Sequence, residues 1–124
     1  MVKYDYKDKY TVSDLLEIIH LLRSPDGCPW DKVQTNESIR LNVLEEAYEA
    51  ADAIDKKDDG ALCEELGDLL MQIVFHTDIA RDENRFDFDD VADGCAKSSY
   101  TATRTFSPTA VQTHPRPCSK SGTR

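Results

Sequence analysis

Several features are missing from this 124-residue chain, and each absence narrows what it can be. No apolar run approaches the roughly 18 residues that cross a bilayer, and the charged start lacks the apolar core of a signal peptide. The expected location is therefore cytoplasmic, with no membrane partner. Basic residues are the minority, 15 Lys+Arg against 24 Asp+Glu, for a net charge of -9 and a pI near 4.7. That excess repels a nucleic-acid backbone or an anionic lipid surface, but it is compatible with a free nucleotide carried by a divalent cation. The four cysteines, Cys28, Cys63, Cys95 and Cys118, include no C-x-x-C pair and no histidine at ligand spacing, so reduced thiols are expected rather than a zinc site or disulfide framework. Internal repeats are absent apart from a pair of acidic motifs. At this length there is room for one domain and one site.

Those motifs are Glu45-Glu46-Ala47-Tyr48-Glu49 and Glu64-Glu65-Leu66-Gly67-Asp68. At 3.6 residues per turn Glu46 and Glu49 lie one turn apart on one helix, and Glu65 and Asp68 do the same on another. The apolar stripe of the first helix reads Ile39, Val43, Ala47, Ala50, Ala51 and Ile54; that of the second reads Leu62, Leu66, Leu69, Leu70 and Ile73. By phase Glu46 and Glu65 border these stripes, Glu49 and Asp68 lie one step further round, and Glu45 and Glu64 point furthest from the core. Four converging carboxylates raise one another's pKa or recruit a cation, and Mg²⁺ or Mn²⁺ suits an all-oxygen donor set. The alternative is a pair of solvated acidic faces, which would not need two matching half-buried carboxylates.

Along the chain, residues 1–12 read as a flexible leader, and Ser13 is positioned to cap a helix running to about Arg23. Ser24-Pro25-Asp26-Gly27-Cys28-Pro29 breaks that helix, and Trp30 closes the loop either as a buried anchor or as a stacking wall for a nucleobase. Thr35 or Asn36 can cap the next helix, which runs to about Asp55. The polar link Lys56-Lys57-Asp58-Asp59-Gly60 then favours an antiparallel hairpin with a helix over about 61–82. A second stripe on that helix, Met71, Phe75 and Ile79, calls for another layer or another subunit. His76 reads as a core or interface histidine. Asp87 or Asp89 caps a further helix, and residues 94–124, which hold no Asp or Glu, are expected to be irregular.

The loop Gly27-Cys28-Pro29-Trp30-Asp31-Lys32, Gln34-Thr35, the block Leu44-Glu45-Glu46-Ala47-Tyr48-Glu49, then Glu64-Glu65-Leu66-Gly67-Asp68-Leu69-Leu70 and Arg85-Phe86-Asp87-Phe88 together resemble the MazG nucleoside triphosphate pyrophosphohydrolases over about residues 13–93. Asn84 stands where that pattern carries glycine. The resemblance implies an all-α antiparallel bundle completed by oligomerisation as a homodimer or higher homo-oligomer. It also implies Mg²⁺-dependent cleavage of nucleoside triphosphates to monophosphate and pyrophosphate, with metal ligands at Glu46, Glu49, Glu65 and Asp68. The loop motif points away from the sister enzymes acting on dUTP or phosphoribosyl-ATP. The tail from Gly94 departs from the family, lacking its basic helix, HPHVF-like stretch and later tryptophan-containing segment, and an altered reading frame or a truncated gene there would account for the sudden loss of acidic residues.

The chemistry so implied needs no covalent intermediate. Glu45 or Glu49 is the candidate general base, and Trp30 and Lys32 are candidate substrate contacts, with Lys56 and Lys57 as further phosphate contacts. The rival readings are a metal-binding remnant with weakened turnover and a helical protein-interaction module.

Overall fold

Four helices carry residues 4–105, the span described by the computed structural model. They are α1 (Val12–Leu22), α2 (Arg40–Asp55), α3 (Asp59–Asp82) and α4 (Phe88–Thr105), with a short 3₁₀ turn at Asp31–Val33. No strand occurs among the described residues, so the chain is all-α as its periodicity predicts. Among the described residues, those up to Asp87 form one compact unit and those from Phe88 a second.

α1 starts two residues earlier than a Ser13 cap would place it. Thr11 is the cap: its side chain accepts from Asp14 N, while the Asp14 carboxylate accepts from Thr11 N at 2.8 Å, a reciprocal box that satisfies two end donors. The same carboxylate takes Tyr4 Oη at 2.7 Å and Lys7 Nζ at 2.6 Å, which ties residues 4–7 to the helix. With Lys7 as the largest influence, these donors hold buried Asp14 well below the usual carboxylate range.

The loop after α1 folds back on the helix end, Cys28 N donating to Leu22 O and Gly27 N to Ser24 O, both at 2.8 Å. A Cβ at Gly27 would run into the Leu22 and Leu21 carbonyls, so this close approach requires glycine. The loop delivers Trp30 edge-on to Phe75 of α3, ring centroids 6.5 Å apart. Thr35 and Ser38 then lock a local turn, each side chain bonding the other's backbone N–H, and α2 begins at Arg40 with no side-chain cap. Neither Thr35 nor Asn36 caps the helix, because Thr35 is used in the turn and Asn36 reaches across to α3.

α2 and α3 form the antiparallel hairpin, and the link is shorter than its five polar residues suggest. Lys57 takes a left-handed φ of 55°, Asp58 N returns to Ala53 O and Lys57 N to Ile54 O, and Asp58 immediately caps α3 by accepting from Ala61 N. The end of α3 repeats the motif: Asn84, at φ 58°, is the left-handed residue, with Arg85 N on Ala80 O and Asn84 N on Arg81 O. Asparagine is the side chain that best tolerates this conformation after glycine, which explains the exchange at this position of the Arg85-Phe86-Asp87-Phe88 segment.

The packing phase corrects both apolar stripes. On α2 the buried line is Ile39, Ala50 and Ala53 with half-buried Val43 and Glu46, while Ala47, Ala51 and Ile54 are exposed. On α3, Phe75 and Ile79 are buried, Met71 is not, and Leu66 and Ile73 of the expected inner stripe are exposed. Small alanines let the helices meet along a line that runs through Glu46 rather than beside it.

α3 packs on both α2 and α1, meeting the end of α1 at Asp78. The α1 contact contains a buried ion pair, Arg23 Nη1 to Asp78 Oδ2 at 2.6 Å, both side chains 7% exposed. Asp82 accepts from the same nitrogen at 2.8 Å and His20 Nδ1 lies 3.2 Å from Asp78.

In the second unit, α4 runs helically through Gly94 to Thr105, where irregular chain was expected from residue 94. Asp89 and Asp90 occupy its first turn, where acidic side chains favour the helix, and Asp93 pairs with Lys97 at 3.0 Å one turn on. The remainder of the tail, with Cys118 and three prolines, lies outside the described residues.

Removing one partner of the buried pair strands the other's charge. Arg23→Met is expected to lower unfolding free energy by about 3–5 kcal/mol, and adding Asp78→Leu to restore most of it. Urea melts of the single and double variants measure the difference.

Candidate metal centre

The hairpin turn fixes the register that brings the acidic motifs together. With α2 and α3 antiparallel, Glu46 and Glu49 on one helix meet Glu65 on the other, and one oxygen of each lies within 4.8 Å of the other two. Glu46 stands between half-buried Val43 and buried Ala50, and Glu65 between half-buried Leu62 and Leu69 of α3. Glu49 is exposed, and its carboxyl lies within hydrogen-bonding reach of both Glu46 and Glu65.

Electrostatically the cluster is unsatisfied. Glu46 Oε1 and Glu65 Oε1 are both buried and neither has a hydrogen-bond partner. Burial raises the Glu46 carboxyl above its ordinary pKa, and Glu49 and then Asp68 add like-charge repulsion. Glu65 is raised in the same way, by burial first and then by Glu49 and Asp68. Asp68 is half-buried and acts on both neighbours, although its oxygens stand outside the tight group of three. Orphaned acceptor oxygens converging from two helices match what a hard divalent cation requires, so the donor set fits Mg²⁺ or Mn²⁺.

The other sequence-selected residues lie around this centre in different settings. Glu45 is exposed and contributes only the weakest named repulsion on Glu46. Trp30 is 56% exposed, anchored by its edge on Phe75 and otherwise open, so it is neither a buried plug nor a free wall. Lys32 Nζ donates to Pro25 O at 2.9 Å and is committed to its own loop in this arrangement. Lys56 pairs with Asp52 on the surface at 2.9 Å.

Two groupings were not visible in the sequence. One is the His20, Asp78 and Asp82 cluster, whose ligand atoms also lie within 4.8 Å of one another but which Arg23 and Arg81 already neutralise. The other joins Arg85, Asn36 and His76, and beside it lies Gln72, a buried amide one turn before His76 on α3. Gln72 and Asp78 did leave a signal, as polar residues inside the apolar run Leu69 to Ala80.

Fold and site thus define an all-helical domain with a carboxylate-lined hairpin. A family model for the MazG nucleotide pyrophosphohydrolase domain matches residues 34–99, more than half of the chain, and the chain belongs to that family. It is 50% identical over 78 residues to a nucleoside triphosphate pyrophosphohydrolase/pyrophosphatase MazG of Thermotoga maritima, covering 63% of this chain and 31% of that protein. It is 51% identical over 81 residues to a nucleoside triphosphate pyrophosphohydrolase of Escherichia coli, covering 64% and 31%. An uncharacterised protein YabN of Bacillus subtilis is 46% identical over 85 residues, covering 68% of this chain and 17% of its own length. The chain therefore spans about a third or less of these relatives.

Because Glu46 and Glu65 bind protons more tightly folded than unfolded, their contribution to stability is full below the ordinary carboxylate pKa and is lost as pH rises through their raised values. Chelator-treated protein should lose melting temperature from pH 5 to pH 8 through these groups. Glu46→Gln should flatten that loss and raise the pH 8 value, while millimolar Mg²⁺ should raise the parent's melting temperature and leave the variant's unchanged. Thermal melts at both pH values, with and without Mg²⁺, test the set.

Proposed function

We propose that this domain hydrolyses nucleoside triphosphates to nucleoside monophosphate and pyrophosphate with Mg²⁺, or Mn²⁺ in its place. The observation that carries this reading is the pair of buried, unpartnered oxygens of Glu46 and Glu65 meeting Glu49 across the hairpin. Membership of the MazG family and the printed activities of the Thermotoga and Escherichia relatives support it.

Glu46, Glu49, Glu65 and Asp68 would hold the cation, which supplies charge neutralisation of the polyphosphate and Lewis acidity when bound. Glu46 and Glu65, recessed between the helices, fix the position of the centre. Glu49, exposed and able to reach both, is placed to accept a proton from an attacking water; Glu45, exposed on the adjoining face, is the alternative base. Trp30, more than half exposed, would stack on a base. Lys32 would reach phosphate by exchanging its bond to the Pro25 carbonyl. The net charge of -9 suits a substrate that arrives with its own counter-ion.

The working unit in this reading is a homodimer or higher homo-oligomer in the cytoplasm. Leu41, Leu44, Tyr48 and Ile54 of α2 and Leu66 and Ile73 of α3 are exposed, each by more than a third. At 100° per residue the α2 group lies away from Glu49, and Leu66 and Ile73 lie on the far side of α3 from Asp68. A second copy can therefore cover the apolar face without blocking the carboxylates. No helix among the described residues is long and apolar enough to cross a membrane.

Purified protein incubated with each ribo- and deoxynucleoside triphosphate should release monophosphate and pyrophosphate only when Mg²⁺ or Mn²⁺ is present. Glu46→Ala and Asp68→Ala should each lower kcat/KM by about 10²-fold or more, the scale of lost charge stabilisation. Glu49→Gln should cost more than Glu45→Gln. Product chromatography that finds diphosphate and inorganic phosphate, or turnover indifferent to all four substitutions, would refute the assignment.

A further inference from the structure

Unpartnered buried polar atoms do not stop at the carboxylates. Gln72 is 6% exposed, its Oε1 is buried without a partner, and its side chain makes no hydrogen bond among the described residues. Seven residues after Glu65 it returns to almost the same phase, about 10 Å further along α3. One turn on, His76 Nε2 is likewise buried, with no well-aligned partner.

The proton on His76 is assigned by its neighbours. Arg85 donates to Asn36 Oδ1, and a guanidinium has no acceptor, so the amide's other end, Nδ2, must face the ring. Asn36 Nδ2 donates to His76 Nδ1 at 2.7 Å, and also to the His76 carbonyl at 3.3 Å. Nδ1 is thus an acceptor, and the neutral ring carries its hydrogen on Nε2. Burial favours that neutral form, while the Ile39 backbone carbonyl, an acceptor for the ring's remaining N–H, favours the charged one, so Nε2–H must leave that carbonyl to meet a ligand.

The α3 face that begins at Glu65 therefore ends in an acceptor, Gln72 Oε1, and a donor, His76 Nε2–H. Phe75 lies between them in sequence, next to His76 and three residues after Gln72, and the Trp30 ring that packs T-shaped against it is more than half exposed, so entry of a flat ring here requires Trp30 to move. The separation from the carboxylates is comparable with that between the polyphosphate and the base of a nucleotide.

We propose that Gln72 and His76 read the hydrogen-bonding edge of the nucleobase, with Asn36 and Arg85 as positioning residues that fix the His76 donor. This rests on the triphosphate hydrolase reading and adds where the base is recognised.

The test compares Mg²⁺-dependent cleavage of the four ribonucleoside triphosphates with that of ribose 5-triphosphate, which has no base. Gln72→Leu should lower kcat/KM for the nucleotides by about 10- to 100-fold through KM and leave ribose 5-triphosphate unchanged, and His76→Phe should act in the same direction. The melting temperature of Gln72→Leu should equal or exceed the parent's, since an apolar group replaces an unpaired amide. Equal losses on all five substrates would mean that Gln72 supports the carboxylates instead, and no loss would mean that it faces no ligand; either overturns the proposal while the hydrolase reading stands. If the parent cleaves nothing, the hydrolase reading fails, and equal Mg²⁺-dependent thermal shifts with nucleotide and ribose 5-triphosphate would overturn this proposal as well. A ¹⁵N-histidine spectrum with His76 protonated at Nδ1 would remove the donor and overturn it directly.

Discussion

The rest of this domain depends on forcing like charges together. A left-handed residue at Lys57 and an immediate cap by Asp58 leave α2 and α3 almost no slack, so their registers are locked. The small side chains Ala50 and Ala53 are buried, and Glu46 and Glu65 are half-buried with them in the hairpin. A fold selected only for stability would place apolar side chains there. The carboxylates lose hydration and gain mutual repulsion, and each buried oxygen without a partner costs on the order of 1–3 kcal/mol.

Two other buried carboxylates in the same unit show what satisfaction looks like. Asp14 gathers Tyr4, Lys7 and both the backbone and side chain of Thr11, and its pKa falls. Asp78 is gripped by Arg23, with His20 and Arg81 beside it. Both join segments of chain. Glu46 and Glu65 have only other acids for company, and their pKa values move the opposite way. Chain chemistry that neutralises buried acids so thoroughly elsewhere leaves these two without a counter-charge, the arrangement on which the proposed cation site rests.

Much of this was legible in the sequence because helical period and spacing are local. The all-α class, the hairpin, and the convergence of Glu46, Glu49 and Glu65 all follow from counting residues at 3.6 per turn. What period could not supply was rotation. The sequence put Ala47 and Ile54 inside and Glu46 on the border, because a stripe drawn by hydrophobicity ignores that alanine pairs permit a closer and differently rotated contact. Capping was misplaced by two residues at Thr11 because the winning partner, Asp14, also answers to Tyr4 and Lys7 from outside the helix. The end of α3 at Asn84 was visible only as an exchange against glycine, and the helix beyond Gly94 was hidden by a composition that lacks acidic residues but retains alanines. Contacts such as Asn36 with His76 and Arg23 with Asp78 join residues 40 or more apart, and no local pattern announces them.

The most direct measurement is an anomalous difference map from crystals grown with Mn²⁺. This account predicts a peak between α2 and α3 bounded by oxygens of Glu46, Glu49 and Glu65, with Asp68 close enough to complete the set. An ordered hairpin with no peak at millimolar Mn²⁺, or a peak at His20, Asp78 and Asp82 instead, would contradict it.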